Sequence, residues 1–272
     1  MVHLFTIWDK MVKQLGISKK VILLLSDYDG TLTPIVSRPE LATLPENTRK
    51  IMQALANDRH VILGVISGRA LKDLKKLVDL NDIIYAGNHG LEIEGLGFNF
   101  LYPLTDEVKG FFRIIYHVLN KKLSSIPGVI VENKGLTLSV HYREVEEDRI
   151  SEVKRVFEQV TGNARLMGKV NITIGKKVLE VRPVVDWNKG KAIRLIIEKF
   201  GKGKKYEILP VYIGDDQTDE DAFTEINKHN DGISVLVGDN QTTTGARYFL
   251  KSTPEVVQFL NSLFEIGEGI SQ

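Results

Sequence analysis

Two aspartates, Asp27 and Asp29, stand two residues apart just after the aliphatic run Val21 to Leu25, and Gly30 and Thr31 follow them. In an extended chain, residues i and i+2 share a side, so two carboxylates placed this way repel unless a cation or a proton sits between them. Mg²⁺ meets that need, because it takes hard oxygen ligands and keeps several of its waters. Taken alone, Asp-x-Asp-Gly reads more readily as a turn than as a site.

Three further polar clusters follow apolar runs. Ser67, Gly68 and Arg69 come after the run ending at Ile66, and Asn88, His89 and Glu92 come after Ile83 to Ala86. Gly214, Asp215, Asp216 and Asp219 come after Ile208 to Ile213. Lys189 opens a helical pattern, where its ammonium and the free backbone N–H groups could hold a phosphate, and the Ser67 hydroxyl could donate to a second phosphate oxygen. Singly, Lys189 reads also as a solvated lysine and 215–220 as an acidic helix start. Together the clusters supply a carboxylate nucleophile, an acid two residues on, a hydroxyl, a lysine and a metal carboxylate. These are the parts for in-line phosphoryl transfer through an aspartyl phosphate.

Other chemistries lack their residues. The chain contains no G-x-x-x-x-G-K-[ST], no H-E-x-x-H and no G-x-S-x-G. Neither acidic cluster is an EF-hand, since the sixth loop position would be Leu32 or Glu220 where Gly is required. The six histidines are scattered; His60 reads as structural, and His89 and His141 as polar contacts.

The elements that must position these groups alternate. Apolar runs at 21–25, 60–66 and 83–86 alternate with helical patterns at 44–57 and 70–80, which predicts a parallel sheet with right-handed crossovers. In such sheets functional groups gather at the carboxyl ends of strands, where all four clusters fall. A helical pattern over residues 2–15 precedes the first strand. From about Tyr102 the pattern changes to helix, two strands, helix, two strands, with a hairpin turn at Asn133-Lys134-Gly135. The alternation resumes after Pro183 with a helix from Asn188, strands at 208–213 and 233–237, a last short strand near 247–250 and a C-terminal helix. The expected fold is therefore α/β: a doubly wound, mostly parallel, Rossmann-like core of 1–103 and 185–272, interrupted by an inserted α+β block (αββαββ) at 104–184.

Composition fits a globular protein. Hydrophobic residues make up 43% of the 272, enough for an ordinary core, and a formal charge of +1 gives no global attraction to nucleic acid or an anionic membrane. There is no cysteine, so disulfides, thiolate metal sites and thiol nucleophiles are excluded. No run reaches the roughly 20 apolar residues of a membrane helix, and a cytoplasmic location is the expectation.

Asp27-Tyr28-Asp29-Gly30-Thr31, Ser67-Gly68-Arg69, Lys189 and Gly214-Asp215-Asp216-Gln217-Thr218-Asp219-Glu220 resemble, in order, the four motifs of haloacid-dehalogenase-like (HAD) phosphatases. Gly87-Asn88-His89-Gly90-Leu91-Glu92, Val178-Leu179-Glu180-Val181-Arg182-Pro183 and Trp187-Asn188-Lys189-Gly190 narrow the resemblance to the trehalose-6-phosphate phosphatase family. It covers roughly residues 20–265. The resemblance implies that Asp27 attacks phosphorus and that Asp29 protonates the departing sugar oxygen and later deprotonates water. It further implies that Thr31 and Ser67 hold phosphate oxygens and that Lys189 neutralises charge. Mg²⁺ would be bound by Asp27, the Asp29 carbonyl and Asp215, with Asp216 and Asp219 in support. The inserted block corresponds to the family's cap, whose closure would exclude water. Sugar contacts are expected from Arg143, Lys176, Lys177, Glu180 and Arg182, with Glu180 foremost because a carboxylate grips vicinal hydroxyls. From the core side they are expected from Asn88, His89 and Glu92, while Arg69 is expected to touch substrate or to pair with a core acid. The implied substrate is a small sugar phosphate, with a trehalose-6-phosphate synthase as a separate protein. Competing expectations are a phosphatase for sucrose 6-phosphate or mannosyl-3-phosphoglycerate, a phosphorylatable receiver module, and a silent sugar-binding regulatory subunit. The inserted block and Asp29 argue against a receiver, and the filled reactive positions argue against a silent subunit.

Overall fold

In the computed structural model the described residues are 1–204, 206–238 and 243–268. In chain order they form β1 (Val2–His3), α1 (Trp8–Leu15), β2 (Val21–Ser26), α2 (Glu46–Ala56), β3 (Val61–Ile66), α3 (Leu71–Val78), β4 (Ile84–Gly87), β5 (Glu92–Gly95) and β6 (Phe98–Leu101). Next come α4 (Asp106–Leu123), β7 (Ile130–Asn133), β8 (Leu138–His141), α5 (Ile150–Leu166), β9 (Val170–Gly175) and β10 (Val178–Pro183). The chain ends with α6 (Lys189–Gly201), β11 (Ile208–Gly214), α7 (Glu220–Ile226), β12 (Ile233–Val237), β13 (Tyr248–Leu250) and α8 (Thr253–Glu268). Two compact units result: Met1–Val36, Glu40–Leu101 and Trp187–Gln272 make the first, and Tyr102–Asp186 with Ser37–Pro39 the second.

The first unit is built on one sheet in the order β1-β13-β12-β11-β2-β3-β4-β5-β6. Pairings from β1 through β4 are parallel, and β5 and β6 add an antiparallel hairpin at one edge. All six residues of β2 are buried because both faces of this strand are covered. Ile22 and Leu24 pack with Met52 and Leu55 of α2, Leu74 of α3 and Phe259 of α8. Leu23 and Leu25 pack on the other face with Ile193 and Ile196 of α6 and Phe223 and Ile226 of α7. A continuous aliphatic run without alternation is the sequence mark of such a strand, and β2 sits between β11 and β3 near the middle of the sheet.

Two features depart from the expected pattern. The first residues do not join the N-terminal helix: Val2 and His3 pair with Tyr248 and Phe249 as a short parallel edge strand, and the α-helix starts at Trp8. His3 bonds Glu255 of α8 at 2.9 Å and meets the Phe249 ring edge-on, so tertiary contacts hold these residues extended where spacing alone suggested helix. The β5–β6 hairpin adds two strands, turning through Gly95, Leu96 and Gly97, all at positive φ.

The second unit has an antiparallel sheet in the order β7-β8-β10-β9. Leu138, Val140, Leu179 and Val181 point toward α4 and α5 and bury with Phe112, Leu119, Val153 and Phe157. By the two-residue period of strands, Ser139 and its cross-strand partner Glu180 point to the opposite face.

Candidate functional site

The first strand end sets the geometry. Beyond β2 the Asp27 N–H still donates to the Ile213 carbonyl at 2.8 Å, so Asp27 is fixed by the sheet ladder although it lies past the strand. The chain then turns: Leu32 and Thr33 N–H both donate to the Tyr28 carbonyl, and Gly30 takes φ +86°. A Cβ at Gly30 would lie 2.2 Å from Asp215 Oδ2, so glycine is what lets the β2 loop approach the acidic loop after β11.

Between these loops lies a buried ion cluster. Lys189, the first residue of α6, is 2% exposed and donates to Asp27 Oδ1 and Asp219 Oδ1, each at 2.6 Å. The helix start that places it is capped by Asn188, whose side chain accepts from Lys191 N–H at 2.9 Å. Burial disfavours the Lys189 charge, but the Asp219 and Asp27 carboxylates outweigh it and hold the ammonium above its ordinary pKa. Burial pushes Asp27 well above the carboxylate range, Lys189 opposes that, and the Asp219 and Asp215 charges add to it. One oxygen each of Asp27, Asp215 and Asp219 lies within 4.8 Å of the others. Three carboxylates against one ammonium leave these four groups a formal charge of −2. A divalent cation would neutralise it. The donors are all hard oxygens, with neither histidine nor sulfur among them, which fits Mg²⁺ and not a soft metal.

The three carboxylates are not equivalent. Asp219 is fully buried, and its Oδ1 accepts from Lys189 and from the Tyr212 hydroxyl at 2.6 Å. Its Oδ2 accepts from Asp215 N–H and Asp216 N–H, each at 3.0 Å. Four donors occupy the lone pairs a metal would need, so Asp219 organises the loop and the lysine. Asp216 caps its own turn, accepting from Gln217 N–H, and stands outside the cluster of three. Asp27 and Asp215 are the oxygens in position to hold a cation. Tyr212 escaped the sequence analysis because it sits inside an apolar strand and reads as core.

Asp29 turns elsewhere. Arg69 Nε donates to its Oδ2 at 2.7 Å and an Arg69 terminal nitrogen to its Oδ1 at 2.6 Å, a two-pronged pair, with the guanidinium lying 5.4 Å from the Tyr28 ring centre. Of the two roles expected for Arg69, pairing with a core acid is the one seen. Ser67 is 2% exposed and its Oγ accepts from Arg69 N–H at 3.2 Å. Thr31 is fully buried, and its Oγ1 has no hydrogen-bond partner within the protein. Asn88 N–H donates to the Arg69 carbonyl and His89 N–H to the Ser67 carbonyl, which ties the loops after β3 and β4 together. Both residues take positive φ there, 49° and 57°. Asn88 Nδ2 reaches Glu92 Oε2 at 2.7 Å.

The second unit gathers its own polar cluster around Glu180, which is 7% exposed. Lys134 Nζ donates to Glu180 Oε1 at 3.2 Å, and Thr173 Oγ1 and Arg182 Nε donate to Oε2 at 3.3 and 2.5 Å. Lys134 belongs by sequence to a hairpin turn, yet its side chain is only 8% exposed. Arg143 donates to the Lys176 carbonyl, and Lys177 pairs with Glu147 in an exposed ion pair.

A family model described as trehalose-phosphatase matches residues 25–254. The chain is 38% identical over 249 residues to "Probable trehalose-phosphate phosphatase 4" of Oryza sativa subsp. japonica, covering 90% of this chain and 66% of that protein. It is 36% identical over 258 residues to "Probable trehalose-phosphate phosphatase H" of Arabidopsis thaliana, covering 90% and 72%. The chain thus spans about two thirds of the length of these relatives. Its fold superposes with TM-score 0.78 on the C-terminal domain of trehalose-6-phosphate phosphatase from C. albicans, at 24% identity and covering 94% of this chain and 97% of that one.

Proposed function

The chain belongs to the trehalose-phosphatase family, and from that premise we propose that it is a Mg²⁺-dependent phosphatase that hydrolyses trehalose 6-phosphate to trehalose and phosphate. The observation that carries the mechanism is the buried Asp27–Lys189–Asp219 chain beside Asp215, at the carboxyl ends of two neighbouring strands.

In the first step Asp27 attacks phosphorus in line with the departing sugar oxygen, the P–O bond to the sugar breaks, and Asp29 gives that oxygen its proton. In the second step Asp29 takes a proton from a water that attacks the aspartyl phosphate, which releases phosphate and restores Asp27. Lys189 keeps the Asp27 carboxylate oriented and balances charge as the phosphoryl group arrives. The Thr31 hydroxyl, buried without a protein partner, and Ser67 hold phosphate oxygens. Asp27, the Asp29 carbonyl and Asp215 hold the metal, which when bound supplies charge neutralisation and orientation of the phosphate. Arg69 frees Asp29 as the anionic substrate competes for its guanidinium, and the released carboxylate takes up from solvent the proton that it gives to the sugar oxygen. In the second unit Glu180 binds sugar hydroxyls, with Lys134, Thr173 and Arg182 bonded to it; in the first unit Asn88, His89 and Glu92 are the residues for sugar contact.

No helix among the described residues is long and apolar enough to cross a membrane. We further propose that the enzyme acts in the cytoplasm on the product of a trehalose-6-phosphate synthase. The test is phosphate release with Mg²⁺ from trehalose 6-phosphate, sucrose 6-phosphate and mannosyl-3-phosphoglycerate. Preference for the first is expected; preference for either of the others overturns the specificity, and absence of turnover overturns the phosphatase reading.

A further inference from the structure

We propose that the Tyr212 hydroxyl is a positioning group for phosphoryl transfer: it holds the Asp219 carboxylate and thereby sets how the Lys189 ammonium is shared between Asp219 and the nucleophile Asp27. The inference rests on the phosphatase reading and assigns a residue that acts without touching substrate.

Tyr212 lies in the middle of β11, in register with Leu25 of β2 and Ser234 of β12, and is fully buried. Its ring meets Phe223 of α7 at 5.9 Å between centroids in a T-shaped contact, and phenylalanine would make that contact equally well. Only the hydroxyl needs more: an O–H taken out of water must find an acceptor, and here it finds Asp219 Oδ1 at 2.6 Å. That carboxylate already accepts from two backbone amides through its other oxygen. The phenol therefore completes a set of four donors with one specific consequence. Tyr212 and Lys189 share one acceptor, Asp219 Oδ1, while Lys189 Nζ is also 2.6 Å from Asp27 Oδ1.

An ammonium placed between two anionic oxygens leans toward the one less satisfied by other donors. The phenol O–H draws charge from Asp219 Oδ1 and so leaves more of the lysine to Asp27 and to the phosphoryl group that Asp27 receives. Without the hydroxyl, Asp219 pulls Lys189 toward itself and the nucleophile loses its orientation. The effect falls on the bond-making step and leaves substrate binding alone.

Tyr212→Phe keeps the ring packing and removes only the donor. With trehalose 6-phosphate and saturating Mg²⁺, the expected result is a kcat about tenfold lower, equivalent to about 1.4 kcal/mol, with KM within about twofold and the melting temperature nearly unchanged. Adding Tyr212→Phe to Asp219→Asn should lower kcat no further than Asp219→Asn alone, because the hydroxyl acts only through that carboxylate. Should Asp219→Asn fail to fold, the kcat, KM and melting comparison of Tyr212→Phe with the parent decides by itself. An unchanged kcat overturns the inference, as does a kcat loss accompanied by an equal loss of stability or a matching rise in KM. If the parent chain turns over none of the sugar phosphates, the phosphatase reading fails instead, which separates the two.

Discussion

Replacing Asp27 with asparagine should abolish turnover and yet raise the stability of the metal-free protein. The reason is the charge count in the ion cluster: Asp27, Asp215 and Asp219 against Lys189 leave −2, and Asp27→Asn lowers this to −1 without changing shape. The Asn amide oxygen still accepts from Lys189 Nζ, so the buried ammonium keeps both partners. A carboxyl whose pKa is raised on folding costs stability at every pH above its unfolded value, and Asp27 is held well above that value chiefly by burial. Removing such an active-site charge is worth about 0.5–2 kcal/mol, or a melting temperature about 2–6 °C higher. Mg²⁺ should reverse the order. A ligand at a hundredfold excess over its dissociation constant stabilises the folded state by about 2.7 kcal/mol, and the variant, with one metal oxygen replaced by an amide, captures less of it. Thermal melts of both proteins in chelator and in excess Mg²⁺ check both halves. A variant that melts below the parent in chelator, or that gains as much as the parent from Mg²⁺, refutes the reasoning.

Gly30→Ala should cost both fold and activity: φ +86° is a left-handed conformation that costs an alanine about 1–2 kcal/mol. Its Cβ would also stand 2.2 Å from Asp215 Oδ2, so the Mg²⁺ concentration for half-maximal activity should rise along with a loss in melting temperature. Glu225 joins α6 to α7, taking two bonds from Arg194 and one from Lys228, which hold its pKa down at about 2. A depressed carboxylate stabilises above its unfolded pKa, so this contribution is present above about pH 4.5 and is lost as pH falls toward 2. Because Arg194 is half exposed, solvent screening keeps the contribution modest. Glu225→Gln should therefore melt a few degrees lower at neutral pH, with the gap narrowing as the buffer is acidified; a gap that widens in acid refutes the assignment.

The fold was legible where burial is simplest. Val21 to Leu25 carries no alternation because helices cover both faces of β2, and an uninterrupted aliphatic run admits few other folded environments. Where several demands overlap, the pattern misleads. Leu4, Ile7 and Trp8 share helical spacing, yet the chain at Val2 and His3 is extended because an edge strand and a partly buried histidine contact outweigh local preference. The β5–β6 hairpin turns through a leucine at positive φ, a conformation that no composition rule assigns to leucine.

The site shows the same division between residue type and residue role. Sequence spacing brings Asp27, Asp215, Asp216, Asp219 and Lys189 to adjoining strand ends, but spacing treats four aspartates as alike, whereas hydrogen bonding separates them. Asp219 is saturated by two amides, a lysine and a phenol, Asp216 caps its own turn, and Asp27 and Asp215 each place a carboxylate oxygen within 4.8 Å of the other and of Asp219. The donor that completes the set, Tyr212, is hidden in sequence because a strand residue whose ring is core and whose hydroxyl is functional has the pattern of a core residue. A buried tyrosine three residues before the first aspartate of an acidic loop carries one physical mark even in sequence. Its hydroxyl must find an acceptor within reach, and in an otherwise aliphatic strand the nearest acceptors are the carboxylates at the strand's end.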